Sequence, residues 1–188
     1  MKKIGISANH ITALRIIGTA SLLFFSIKTS VFYIIYAVTG FTDILDGYVA
    51  RKTNTVSNFG AKLDSVSDLL FYSVMIIKFF PMLLKSLPKF IWIIASIAVF
   101  IRLLSYLAAA LKFKRFSSMH TYLNKITGLC VFLIPFAMLF KFKIYYFVFA
   151  SLMGLASSAE ELIIHLWAME YKTDIKSLLT LRKVKSYG

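Results

Sequence analysis

Residues 31–80 read VFYIIYAVTGFTDILDGYVARKTNTVSNFGAKLDSVSDLLFYSVMIIKFF. An apolar run enters this stretch and another leaves it, and at their junction lie four aspartates, Asp43, Asp46, Asp64 and Asp68. A carboxylate at the margin of a lipid-soluble segment is costly, and by default it marks a functional site. The same stretch therefore sets both the solvent of the fold and the place of its chemistry.

The rest of the 188 residues fits a lipid solvent. Hydrophobic residues make up 59% of the chain, Phe occurs 18 times and Pro only three times, too little polar surface to cover a water-soluble body. About six segments approach the ~20 apolar residues that span a bilayer as a helix. They run from Ile11 to Ile27, Val31 to Ala50, Leu63 to Phe80, Phe90 to Leu111, Ile126 to Phe140 and Ile144 to Ala168. Backbone groups in lipid must be satisfied within the segment, and no segment alternates like a barrel strand, so the expected fold is all-α with six transmembrane helices. A single membrane domain over residues 1–188 is expected, ending in a basic amphipathic tail over about 170–188 that suits the membrane interface. Arg15 interrupts the first run and no small-residue cleavage pattern follows, so that run is read as part of the mature protein.

The net charge of +14 comes in short clusters between apolar runs, a pattern that suits anionic lipid headgroups rather than nucleic acid. With the N-terminus inside, one side carries Lys2, Lys3, Arg51, Lys52, Lys62, Lys112, Lys114, Arg115, Lys125 and the basic tail. The other side carries Lys28, Lys78, Lys85, Lys89, Lys141 and Lys143. The positive-inside rule then predicts that both termini are cytoplasmic. In that orientation Arg15, Arg102, Glu160, Glu161, His165 and the four aspartates all fall toward the cytoplasmic ends, which implies a polar cavity opening to the cytoplasm. Cys130, the one cysteine, lies in an apolar run and leaves the redox compartment open.

Asp43 and Asp46 are three residues apart and Asp64 and Asp68 four, so each pair projects from one face of its own helix. Four neighbouring carboxylates repel unless cations lie between them, and hard oxygen ligands select Mg²⁺, Mn²⁺ or Ca²⁺. Two such ions roughly 3.5 to 4 Å apart can clamp the attacking and leaving oxygens of a phosphoryl displacement. The small residues Gly47, Ala50 and Gly60 allow a flat base or a pyrophosphate to approach the backbone, and Arg51 can hold a phosphate in bidentate fashion. Helix capping, the structural alternative, could account for Asp64 but not for Asp43 and Asp46 near a helix C-terminus, where the dipole opposes them.

The series Asp43, Asp46, Gly47, Ala50, Arg51, Gly60, Asp64, Asp68 resembles the complete signature of the CDP-alcohol phosphatidyltransferase family, with every interval intact. Asn9, Thr12 and Arg15 resemble the segment that precedes the first helix in the prokaryotic branch, so a prokaryotic cytoplasmic membrane is the expected location. The resemblance implies a homodimer that transfers a phosphatidyl group from CDP-diacylglycerol to a small soluble alcohol and releases CMP. It implies two ions, Mg²⁺ or Mn²⁺, on Asp43, Asp46, Asp64 and Asp68, with Asp68 also the general base. It further implies that the CDP part of the donor lies along Asp46, Gly47, Ala50, Arg51 and Gly60, with Asn9 and Thr12 beside it. Glycerol-phosphate members carry Pro and Lys after the third and fourth aspartates, where this chain has Ser65 and Leu69. The reverse transfer, from a CDP-linked choline or ethanolamine to diacylglycerol, is the alternative within the family.

Two further groups bear on the acceptor. Arg102, inside the fourth span, is expected to form an anion pocket, with Lys112 and Arg115 as weaker members; pairing to an intramembrane aspartate is the alternative. For Glu160, Glu161 and His165 a structural hydrogen-bond network or snorkelling to the membrane interface is expected rather than a metal site. A cation transporter, the rival from another class, would need a polar path to the outer face, and the outer half-spans contain almost no such groups.

Overall fold

A computed structural model describes residues 8–52, 58–114, 121–168 and 176–178, with side chains from 8–10, 43–52, 58, 59 and 61 left out of the description. Among the described residues all regular structure is helical: α1 (Ala8–Phe24), α2 (Ser30–Lys52), α3 (Asn58–Ser86), α4 (Lys89–Phe113), α5 (Tyr122–Ala137) and α6 (Lys143–Trp167). The chain divides into two compact units, Met1–Ser86 with α1 to α3 and Leu87–Gly188 with α4 to α6.

In the first unit α1 packs on both α2 and α3. Its buried stripe is Thr12, Arg15, Thr19 and Leu22, spaced by three and four residues as one helical face requires. The stripe is polar at its N-terminal end and apolar beyond. Asn9, Thr12 and Arg15, likened above to a segment before the first helix, thus lie on α1 itself. Polar residues on the protein-facing side of a helix need not shorten it, because only the outward face meets lipid. Gly18 faces α2 so closely that a Cβ there would lie 2.5 Å from Thr39 Oγ1. Further along, Phe32 and Tyr36 of α2 meet α3 through rings: Tyr36 stacks on Phe71 at 5.3 Å and Phe32 tilts against Phe79 at 5.8 Å. Lys78 of α3 donates to the carbonyls of Leu23 and Phe25, at 2.8 and 3.0 Å, and so caps the open end of α1.

The second unit repeats that device. α6 packs on α4 and α5, and Lys112 of α4 donates to the carbonyls of His165 and Leu166 at the end of α6, at 3.3 and 2.6 Å. Thr121 caps α5 by accepting from Asn124 N at 3.2 Å. Small residues let α5 and α6 approach: Thr127 Oγ1 donates to Met153 O at 3.2 Å, beside Gly154. Of the tail, residues 176–178 are described; Tyr122 N donates to Lys176 O at 3.0 Å and Leu178 N to Glu160 Oε1 at 3.1 Å. The amphipathic helix expected for the tail lies outside the described residues.

Among the described residues three helical stretches are long and apolar enough to cross a membrane, Lys62–Ser86, Lys89–Phe113 and Lys143–Trp167; Ile11–Phe24, Ser30–Thr42 and Tyr122–Ala137 are shorter apolar helices. The outward faces carry large apolar side chains, among them Ile93, Val99, Phe100, Leu103 and Leu107 along α4 alone. So many contiguous exposed apolar groups are unstable against water and suit hydrocarbon.

Candidate active site

α3 runs from Asn58, so Asp64 is its seventh residue and Asp68 lies one turn further on. Neither is at a cap, and the capping explanation for Asp64 lapses. Between them Ser67 lies on the same side of the helix, three residues after Asp64, and is fully buried. All three face Arg15 of α1. Its Nε donates to Ser67 Oγ at 2.7 Å, one terminal nitrogen donates to Asp64 Oδ1, and the other lies 3.4 Å from Asp68 Oδ1. The nitrogen bound to Asp64 also lies 3.4 Å from that residue's backbone oxygen.

The burial of this cluster is uneven. Arg15 is 2% exposed, whereas the side chains of Asp64 and Asp68 are 46% and 44% exposed. A buried guanidinium without carboxylates would carry a large desolvation cost; with them it supplies a fixed positive charge behind an open acidic pair. Two carboxylates one turn apart, each nearly half open, are the hard donors that Mg²⁺ or Mn²⁺ takes, so the described part of the site fits a divalent ion. Among the described residues no three His, Cys, Asp or Glu side chains gather as a metal cluster. The backbone puts Asp43, Asp46, Gly47, Ala50 and Arg51 in the last ten residues of α2 and Asn9 in the first turn of α1; their side chains lie outside the description. Thr12 is buried one turn before Arg15, and Gly60 is in the first turn of α3.

The second unit holds another polar cluster. Arg102 of α4 pairs with Glu161 of α6, which is 0% exposed, and donates to Asn124 Oδ1 of α5 at 2.8 Å and Ser157 Oγ of α6 at 2.9 Å. Asn124 Nδ2 donates to Glu161 Oε2 at 2.7 Å, and Ser157 Oγ donates to Asn124 Oδ1. One turn along α6 from Glu161, His165 Nδ1 meets Ser105 Oγ at 2.8 Å. The charge of Arg102 is therefore balanced by a carboxylate, a glutamate rather than an aspartate, and three helices are tied at one level. Lys112 is spent on the end of α6, and Arg115 lies outside the described residues.

Sequence reasoning did not single out Ser67, Asn124 or Ser157. Ser67 had a usable signal, its i+3 spacing from Asp64. Glu161 was available to Arg102 by charge balance, since Glu160 and Glu161 are the acids of α6 and α4 has none.

The CDP-alcohol phosphatidyltransferase family model matches residues 6–168, and the chain belongs to that family. Over 75 residues it is 44% identical to a CDP-diacylglycerol–serine O-phosphatidyltransferase of Methanocaldococcus jannaschii, a match covering 39% of this chain and 34% of that protein. It is 42% identical over 53 residues to a CDP-diacylglycerol–glycerol-3-phosphate 3-phosphatidyltransferase of Rickettsia bellii, 28% of this chain and 27% of the relative. A second serine O-phosphatidyltransferase, from Bacillus subtilis, is 43% identical over 54 residues, 29% of each chain. The matched segments thus span about a third or less of these relatives. No solved structure matches the chain. Family membership and the three long apolar helices make this an integral membrane protein.

Proposed function

We propose that this protein is a metal-dependent enzyme of phospholipid synthesis, transferring the phosphatidyl group of CDP-diacylglycerol to a small soluble alcohol with release of CMP. The observation that carries the proposal is the pair Asp64 and Asp68, open on one side and anchored on the other by buried Arg15, inside an otherwise complete family motif.

Asp68 takes the proton of the acceptor hydroxyl. The alcohol oxygen then forms a bond to the phosphorus bearing diacylglycerol, the bond from that phosphorus to the bridging oxygen of CMP breaks, and CMP leaves with the electron pair. A divalent ion held by Asp43, Asp46, Asp64 and Asp68 supplies, when bound, charge neutralisation for the phosphate oxygens. Gly47, Ala50 and Gly60 leave room for the cytidine diphosphate, with Arg51 on a phosphate and Asn9 and Thr12 beside the donor. In this reading all six helices span the membrane, both termini are cytoplasmic, the cavity opens to the cytoplasm of a prokaryotic cell, and the enzyme is a homodimer.

The acceptor is one without a phosphate. Support comes from Ser65 and Leu69, which stand where glycerol-phosphate members carry Pro and Lys. Serine, the acceptor named for two of the matched relatives, has this character. The test incubates purified protein in detergent with Mn²⁺, CDP-diacylglycerol and either serine or glycerol 3-phosphate, and measures CMP. Faster release with serine is expected. Faster release with glycerol 3-phosphate overturns the acceptor assignment, and no CMP with any alcohol overturns the enzyme.

A further inference from the structure

We infer that Arg15 and Ser67 form a positioning device that sets the Asp64 and Asp68 carboxylates for the divalent ion, an inference that rests on the metal-dependent reading above. Arg15 directs a separate nitrogen to each of three residues of α3: Nε to Ser67 Oγ at 2.7 Å and the two terminal nitrogens to Asp64 and Asp68. The rigid plane of the guanidinium makes these contacts interdependent. Ser67 fixes the plane from a fully buried position, and the plane in turn fixes one oxygen of each carboxylate. Arg15 is buried while both acids stay nearly half open, so the device holds the acids from behind and leaves their outer side accessible. Arg15 and Ser67 act through the aspartates.

The device has a specific chemical signature. Lysine keeps the charge of Arg15 but offers a single nitrogen, which cannot serve three acceptors in one plane. Alanine at 67 keeps every charge and removes the hydroxyl that orients the plane. If Arg15 acted only as a counter-charge, both substitutions would be harmless. If it positions the ligands, both weaken metal binding, because removing groups that orient metal ligands lowers affinity or activity by about 10–100-fold.

The test uses the full chain in detergent, stripped of metal with a chelator and titrated with Mn²⁺ alone, the free ion being followed by electron paramagnetic resonance. Asp64→Asn serves as the control that places the bound Mn²⁺ at this site. Ser67→Ala and Arg15→Lys are each expected to raise the Mn²⁺ dissociation constant about tenfold or more, while the helical circular dichroism of Ser67→Ala matches wild type. Should Arg15→Lys fail to fold, Ser67→Ala decides the matter alone. Wild-type affinity in folded Ser67→Ala overturns the device and leaves the metal-dependent reading intact. A wild-type protein that binds no Mn²⁺ overturns both.

Discussion

Asp68 is in contact with Arg15 at 3.4 Å, and its side chain is 44% exposed. Asp68→Asn keeps an acceptor oxygen for Arg15 but no base. The expected outcome is loss of CMP release with thermal stability close to wild type; full retained turnover would remove Asp68 from the proton transfer. Glu161 is the opposite case, being completely buried and making its ion pair with an Arg102 that is only 18% exposed. Leaving a buried charge without its partner costs about 3–5 kcal/mol, so Glu161→Ala should lower stability by about that much, reduced somewhat by the residual exposure of Arg102. Glu161→Gln, which keeps an oxygen for Asn124 and Arg102, should lose less, and thermal unfolding in detergent ranks the two. At this scale the spacing of the aspartates was legible from sequence because i, i+3 and i, i+4 positions share a helical face. The partner of Arg102 was legible only as far as charge balance narrows it to the acids of α6; the choice of Glu161, 59 residues away, is fixed by tertiary packing.

Helix identity was legible, but helix length less so. Hydropathy starts the third segment at Leu63 and the fifth at Ile126, whereas α3 begins at Asn58 and α5 at Tyr122. An apolar run reports contact with lipid, while a helix continues wherever its backbone ladder and caps allow, here through Asn58, Gly60 and Asp64 and from the Thr121 cap. The consequence is functional, because the acids lie within a rigid turn of α3 instead of at a frayed end. How closely helices approach each other is equally hidden in a hydropathy profile. Gly18→Ala would favour an isolated helix by about 1 kcal/mol, yet the added Cβ meets Thr39 Oγ1 at 2.5 Å. The expected outcome is a lower unfolding temperature for Gly18→Ala and partial recovery in the double variant with Thr39→Ala. A Gly18→Ala protein more stable than wild type would contradict the close crossing of α1 and α2.

The whole molecule is governed by its solvent. Composition alone selected lipid, and the faces of α3, α4 and α6 show why, with large apolar side chains turned outward and polar groups withdrawn into two clusters. Each cluster joins an arginine to acidic partners across helices, Arg15 in the first unit and Arg102 in the second, but they differ in what they leave open. The first leaves two carboxylates open; the second buries its carboxylate completely. In the proposed function the reaction chemistry belongs to the first unit, and the second holds a charge-balanced polar lattice. The family motif was legible over its full length because its residues stand at recognisable intervals in the sequence itself. The acceptor was not, because no comparable motif in the sequence marks it. The central claim, transfer of a phosphatidyl group, is tested most directly by following the phosphorus. With CDP-diacylglycerol labelled at the phosphorus next to diacylglycerol, an alcohol acceptor and Mn²⁺, the account predicts that all transferred label appears in a new phospholipid and that the released CMP carries none. Label recovered in a soluble nucleotide product, or no transfer under any acceptor, would contradict it.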